Sequence, residues 1–243
     1  MIKTNILGVN IACLTKADAV QKLQHFLSID KHHVVITPNP EIVMKATKDR
    51  ELLAIINQSD LVVPDGIGIV IASKFTKNKV PERVPGIELA VDFFEAAKYL
   101  ASPLTVYILG SQPGVAEQAK ENLENKYQNI KIIGFHSGYF DHQQELIIIK
   151  QIQTLEPNLL LVGLGAPKQE KWIWQNKSLP VKISMGVGGS IDVFAGVVNR
   201  APALFIKLNL EWFYRVLKEP KRIFRLRVLP VFVFKVAINR LRN

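Results

Sequence analysis

The sequence predicts an α/β fold, a mostly parallel sheet covered by helices on both faces, continued by a basic helical C-terminal appendage. Three observations predict it. Short apolar runs alternate with segments of helical periodicity. Many of those runs stop abruptly in glycine or proline turns. Positive charge is concentrated in the last 48 residues, which hold eleven Lys/Arg against Glu211 and Glu219, a net +9 out of +10 for the chain. The expected division is a catalytic body over 1–195 and the basic appendage over 196–243.

The first helix is expected over 15–29. Thr15 and Asp18 form a capping box with Asp in place of Glu, and Ala19, Val20, Leu23, Phe26 and Leu27 make its apolar stripe. Strands are expected at 34–36, 61–63, 105–109, 130–133, 159–162 and 183–187. Helices are expected between them, near 41–57, 67–75, 87–101, 114–126, 142–154 and 168–176. In the appendage a helical pattern runs over 200–217 with Phe205, Leu208, Trp212, Phe213 and Val216 on one side. Pro220 suits the first turn of a following helix. Lys218, Lys221, Arg222 and Arg225 fall at helical spacing, with Arg215 seven residues before Arg222. After Pro230, Val231, Phe234, Ile238 and Leu241 form a stripe opposite Lys235, Arg240 and Arg242.

Composition excludes several classes. The 243 residues are 48% hydrophobic, enough for a full core. No run reaches the ~18 uninterrupted apolar residues of a spanning helix, and the first residues lack the apolar segment of a secretion signal. The single Cys13 rules out an internal disulfide and a cysteine-based zinc cluster. His25, His32, His33, His136 and His142 have no metal-ligand spacing. A cytoplasmic protein is expected. Basic helices carrying Phe, Trp and Val stripes suit an anionic membrane surface; the alternative is that the stripes pack on the body and the charge is only a solvated face. Such apolar stripes would be wasted on a duplex, so a nucleic-acid partner is not expected.

Open α/β sheets bind ligands at the carboxyl ends of their strands. Two polar turns stand out there, Thr37-Pro38-Asn39-Pro40-Glu41 and Pro64-Asp65-Gly66-Ile67-Gly68, and a third polar segment, Glu82-Arg83-Val84-Pro85-Gly86, follows the helix after Asp65. Their closeness in sequence suggests one site, with the Asp65 carboxylate as its candidate for chemistry. Glycine turns follow three later strands: Gly110-Ser111-Gln112-Pro113-Gly114, Gly163-Leu164-Gly165-Ala166-Pro167-Lys168-Gln169-Glu170 and Gly186-Val187-Gly188-Gly189-Ser190-Ile191-Asp192. Glycine lets backbone N–H groups approach a diphosphate at a helix N-terminus. No P-loop is present, and Lys168 stands where a dinucleotide fingerprint needs its third glycine, which disfavours a nicotinamide enzyme. No Asp-x-Asp pair exists to hold a divalent metal. If the protein cleaves a sugar nucleotide, cationic side chains are expected to steady the departing diphosphate.

These motifs occur in order with Ala195-Gly196, Arg200-Ala201-Pro202, Leu210-Glu211-Trp212, Arg215 and Glu219-Pro220. Together they resemble the WecG/TagA/CpsF glycosyltransferases, glycosyltransferase family 26, over nearly the whole chain. Ile191, where the family often has Phe, and Asn209, where Gly is usual, depart from the pattern. The resemblance implies a Rossmann-like body and a tail that docks peripherally on the inner face of the cell membrane and completes the site. It implies metal-independent, inverting transfer of N-acetylmannosamine from a UDP-sugar donor to a lipid-linked undecaprenyl-diphosphate-N-acetylglucosamine, making the linkage unit of wall teichoic acid, with no cofactor. Another UDP-hexose or UDP-uronate donor, or a non-enzymatic membrane-associated nucleotide-binding protein, is the alternative. A homo-oligomer stays open.

On this reading Asp65 is the general base, its alternative being a helix N-cap. Thr37 and Asn39 hydrogen-bond the sugar or acceptor, or merely form a turn before Pro40. Arg83 holds an anionic group, or a surface ion pair. Gln169 reaches the ligand from a helix N-terminus. Arg215, Arg222 and Arg225 steady the leaving diphosphate or grip the lipid diphosphate, since guanidinium binds phosphate bidentately. Gly110, Gly163, Gly165 and Gly188 admit the UDP-sugar, Tyr139 stacks on the base and Asp192 accepts the uracil N–H. Loop packing for Tyr139 and an N-cap for Asp192 are the alternatives.

Overall fold

The computed structural model describes residues 1–208, 210–218 and 228–242, without the side chains at 203, 215 and 239–242. Strands β1 (Lys3–Ile6) and β2 (Val9–Ala12) form an antiparallel hairpin. Helix α1 (Lys16–Leu27) follows, with the expected Thr15/Asp18 capping box complete. The chain then alternates: β3 (His33–Ile36), α2 (Pro40–Ala46), α3 (Arg50–Gln58), β4 (Leu61–Val62), α4 (Ile67–Ser73), α5 (Gly86–Ala96), β5 (Leu104–Gly110), α6 (Val115–Lys126) and β6 (Ile130–His136). Next come α7 (His142–Leu155), β7 (Leu159–Gly163), α8 (Lys168–Gln175), β8 (Ile183–Gly186) and α9 (Ser190–Phe194). The tail supplies α10 (Ala203–Lys207), α11 (Glu211–Lys218) and α12 (Val228–Arg242).

The six central strands are all parallel, in the order β4-β3-β8-β7-β5-β6. Strand residues alternate between two cores, as the pleat requires. Val35, Leu61, Val106, Ile108, Leu159, Leu161 and Met185 face the core shared with α1, α5 and α6. Val34, Ile36, Val62, Leu109, Leu160 and Val162 face the one shared with α2, α3, α7 and α8. Burial on both faces explains why these strands read as continuous apolar runs.

Three expectations change. The β1–β2 hairpin was not expected. The span 41–57 is two helices, because Asp49 caps α3 with its own side chain and restarts the chain there. The pattern over 200–217 is likewise split into α10 and α11. In α12 the expected stripe lies outward at Val231, Phe234 and Ile238, which removes for these residues the alternative that it packs on the body. Phe232 and Val236 are the buried pair, joined to the core beside Ile42, Val43 and Ile69, whereas Val231, Phe234 and Ile238 are exposed. The helix is apolar on both sides, so periodicity alone did not choose its inner face.

Candidate active site

Because the sheet is parallel, the turns leaving its six strands all emerge at one edge. The first three polar turns are joined there by backbone. Asp65 N–H donates to Pro38 O (3.2 Å) and Val84 N–H to Pro64 O (2.7 Å). A Cβ at Gly86 would lie 3.1 Å from Thr37 Oγ1, and one at Gly68 2.6 Å from the Pro40 ring. The turns therefore pack as one unit and bring Thr37, Asn39, Asp65 and Arg83 to one neighbourhood.

Asp65 is half-buried. It does not cap α4: Gly66, at φ 85°, occupies the N-cap position, and no side chain caps that helix. The N-cap alternative for Asp65 is thereby removed. Asn39 does cap α2, its Oδ1 accepting from Ile42 N–H at 3.0 Å, so the turn-forming alternative holds for that oxygen. Thr37 is buried and donates to Gly186 O at 3.2 Å, which ties the first turn to the one after β8.

Arg83 reaches toward the tail. Its guanidinium donates to Glu88 Oε1 (3.1 Å) and Ile206 O (3.4 Å) and lies 3.8 Å from Glu211. Arg200 bonds the same Glu88 oxygen, and Lys16 approaches its other oxygen at 3.5 Å. Glu88 is thus a carboxylate hub for Lys16, Arg83 and Arg200, and Arg83 extends the contact to α10 and α11. Sequence reading missed this role; the signal was the acid at the start of α5 facing Arg83 across Pro85-Gly86.

The glycine turns are packed backbone to backbone. A Cβ on Gly110 would stand 2.6 Å from Gly163 O, and one on Gly163 would stand 2.7 Å from Gly188 O. Gly165 and Gly188 have φ of 77° and 51°, which side chains disfavour. Asp192 is not an N-cap either, since Gly189 caps α9; its carboxylate accepts from the Ser111 hydroxyl. Tyr139 is 63% exposed, and its hydroxyl accepts from Gln112 Nε2 at 2.8 Å. Ser111 and Gln112 are partners that sequence reading did not name.

Gln169 is 4% exposed, with both ends of its amide engaged. Oε1 accepts from Gly188 N–H (3.1 Å) and Nε2 donates to Glu170 Oε1 (2.9 Å). Arg215 lies on α11, but its side chain is not among those described, and Arg222 and Arg225 lie outside the described residues. Among the described residues no three His, Cys, Asp or Glu side chains are grouped so as to hold a metal ion. No described helix is long and apolar enough to cross a membrane.

Such a doubly covered parallel sheet, with polar and glycine turns gathered at its carboxyl edge, has the build of a ligand-binding α/β enzyme. The profile of the "Glycosyl transferase WecG/TagA/CpsF family" matches residues 4–243, and the chain belongs to that family of glycosyltransferases. It is similar to the N-acetylglucosaminyldiphosphoundecaprenol N-acetyl-beta-D-mannosaminyltransferase of Staphylococcus aureus strain MRSA252. The two are 40% identical over 238 residues, 97% of this chain and 92% of the relative. The proteins of the same name in strains MW2 and NCTC 8325 / PS 47 are 39% identical over the same shares.

Proposed function

We propose that the protein transfers N-acetylmannosamine from UDP-N-acetylmannosamine to undecaprenyl-diphosphate-N-acetylglucosamine, with inversion at the anomeric carbon and without a metal ion, in the linkage unit of wall teichoic acid. The names of its relatives support the substrates. The observation that carries the chemistry is a carboxylate, Asp65, that does not cap α4 and whose turn is fixed by backbone bonds between the Thr37–Asn39 and Arg83–Gly86 turns. Asp65 takes the proton from the acceptor hydroxyl as its oxygen attacks the anomeric carbon. The bond to UDP breaks on the opposite face, and UDP leaves with the electron pair. Holding both partners in line removes much of the entropic barrier.

The glycine turns at Gly110, Gly163, Gly165 and Gly188 give the donor close backbone approach, with Tyr139 and Asp192 at the base. Arg215, Arg222 and Arg225 steady the diphosphate charge in place of a metal. The tail holds the enzyme on the cytoplasmic face of the membrane. Exposed Leu204, Leu208, Trp212, Phe213, Leu217 and Phe234 support this, together with the tail's net +9. Each basic residue adds roughly 1 kcal/mol near an anionic leaflet.

The test is mass spectrometry of the lipid product from a panel of UDP-sugars, with and without EDTA. The expected result is one added N-acetylhexosamine from UDP-N-acetylmannosamine, undiminished by EDTA. Transfer from a different donor, or loss of turnover restored by Mg²⁺ or Mn²⁺, overturns the corresponding part.

A further inference from the structure

Glu170 is 1% exposed, more deeply buried than Gln169 beside it. Its Oε1 accepts from Gln169 Nε2 at 2.9 Å, and its Oε2 is buried with no hydrogen-bond partner among the described residues. The Gln169 amide passes the contact on. Its oxygen holds the Gly188 N–H, and its nitrogen lies where a Cβ on Gly186 would come within 2.8 Å. Gly186 O in turn receives the Thr37 hydroxyl. One chain of contacts therefore runs from Glu170 through Gln169 and the turn after β8 to the Thr37 turn.

We infer that Glu170 is a positioning residue: through the Gln169 amide it fixes the Gly186–Gly188 turn in the shape the donor diphosphate needs, from beneath the site and without touching substrate. This rests on the reading of Gly188 as part of the UDP-sugar site. An isolated carboxylate is costly to bury, and burial pushes the Glu170 carboxyl above its ordinary range, against the smaller pulls of Gln169 and Lys45. Charged groups on the neighbouring elements are engaged elsewhere. Lys45 from α2 donates to Ala166 O (3.1 Å) and pairs with Glu41 (3.0 Å). Asp49 and Glu51, at the start of α3, are held by Lys171 at 2.9 and 2.6 Å. His33 on β3 lies beside Asp60. Glu170 Oε1 anchors the Gln169 amide as an acceptor, and a glutamine side-chain oxygen accepts in the same way, so an amide in its place is expected to serve equally well.

The test is calorimetric binding of UDP, alongside thermal melting, to Glu170→Gln, Glu170→Leu, Gln169→Leu and the double Gln169→Leu/Glu170→Leu protein. Glu170→Gln is expected to bind UDP as the wild type does and to keep its turnover. Glu170→Leu and Gln169→Leu are each expected to weaken UDP binding roughly tenfold, the weight of one buried hydrogen bond. The double variant is expected to lose no more than either single one, because both cut the same chain. Glu170→Met, which also fills the volume, replaces Leu if that variant does not fold. A folded Glu170→Leu protein with wild-type UDP affinity, additive single effects, or a folded Glu170→Gln protein with weakened binding each overturns the inference. Failure of the wild type to bind UDP overturns the donor-site reading itself and takes the inference with it.

Discussion

At the carboxyl edge of the sheet, β3, β7 and β8 run out into the Thr37–Asn39 turn and the glycine turns around Gly163–Gly165 and Gly186–Gly188. At the amino edge β3 and β8 begin in a closed polar cluster. The His33 ring stacks on Phe26 at 3.9 Å and 7°. Asp60, just before β4, accepts from Val34 N–H (3.0 Å) and Lys31 (2.6 Å), and His33 Nδ1 lies 3.4 Å away without hydrogen-bonding alignment. His32 bridges Lys177 O (3.0 Å) and Ser184 Oγ (2.7 Å). The amino edge meets Val34 N–H, Lys177 O and Ser184 Oγ with its own side chains, while both nitrogens of the stacked His33 ring are buried without a hydrogen-bond partner among the described residues. The carboxyl edge joins its turns largely by backbone and presents helix N-termini, which favour a phosphate ligand. Titratable groups at the closed edge should therefore govern stability, and those at the open edge turnover.

The largest expected effect comes from the open edge. Asp65→Asn is expected to lower turnover by roughly 10²–10⁴, the usual weight of a general base, with melting temperature and UDP affinity unchanged. Near-normal turnover of the folded variant would remove Asp65 from the mechanism and blur the contrast between the edges. At the closed edge the reverse is expected. Asp60→Asn should cost about 1–3 kcal/mol in urea unfolding, since it weakens a partly buried hydrogen-bonded charge. Its turnover per folded molecule should match the wild type. Lost turnover in a protein of normal stability would contradict the division.

The smallest effect is one of pH. Burial, the leading cause for both, lowers the pKa of His32 and of His33 from the ordinary 6.5. The unfolded chain then binds protons that the folded one refuses. Their contribution is complete above about pH 6.5 and is lost as pH falls below it, by at most about 1 kcal/mol for each ring between about pH 7.5 and pH 6. Asp60 acts lower down. Burial opposes its charge, yet Lys31 and the Val34 N–H hold its carboxyl below the ordinary 3.8, so its contribution is present above that value and fades under it. Melting temperatures across this range should fall with acid, and His33→Gln should flatten the upper part of the curve. A flat wild-type curve from pH 7.5 to pH 6 would show that neither ring is held neutral.

The sheet was legible in the sequence because strands buried on both faces are continuous apolar runs with turn residues at their ends, as Val34-Val35-Ile36 before Thr37-Pro38 shows. The β1–β2 hairpin was not, although its burial alternates. Its two-residue turn is Leu7-Gly8, with Leu7 at φ 52°, where the recognisable signal is Asn-Gly or Asp-Gly. The closeness of the polar turns was legible too, and the structure joins them by backbone bonds from Asp65 to Pro38 and from Val84 to Pro64. Partnerships across the molecule were hidden. Glu88 serving Arg200, and Ser111 serving Asp192, join residues far apart in sequence, and only the fold brings them together. Glu170 read as the end of a motif, because nothing in sequence tells a buried acid from an exposed one.

The inner face of α12 has a consequence for the order in which the protein takes shape. Phe232 and Val236 complete the core under α2 and α4, the helices that follow the Thr37–Asn39 and Asp65 turns. Those turns are synthesised early, but the side chains that back their helices leave the ribosome long afterwards. A nascent chain can pair its strands and still lack the support behind the Asp65 turn. If the tail also meets the membrane, the segment that finishes the fold is the one that delivers it to its substrate, and a half-made enzyme has neither.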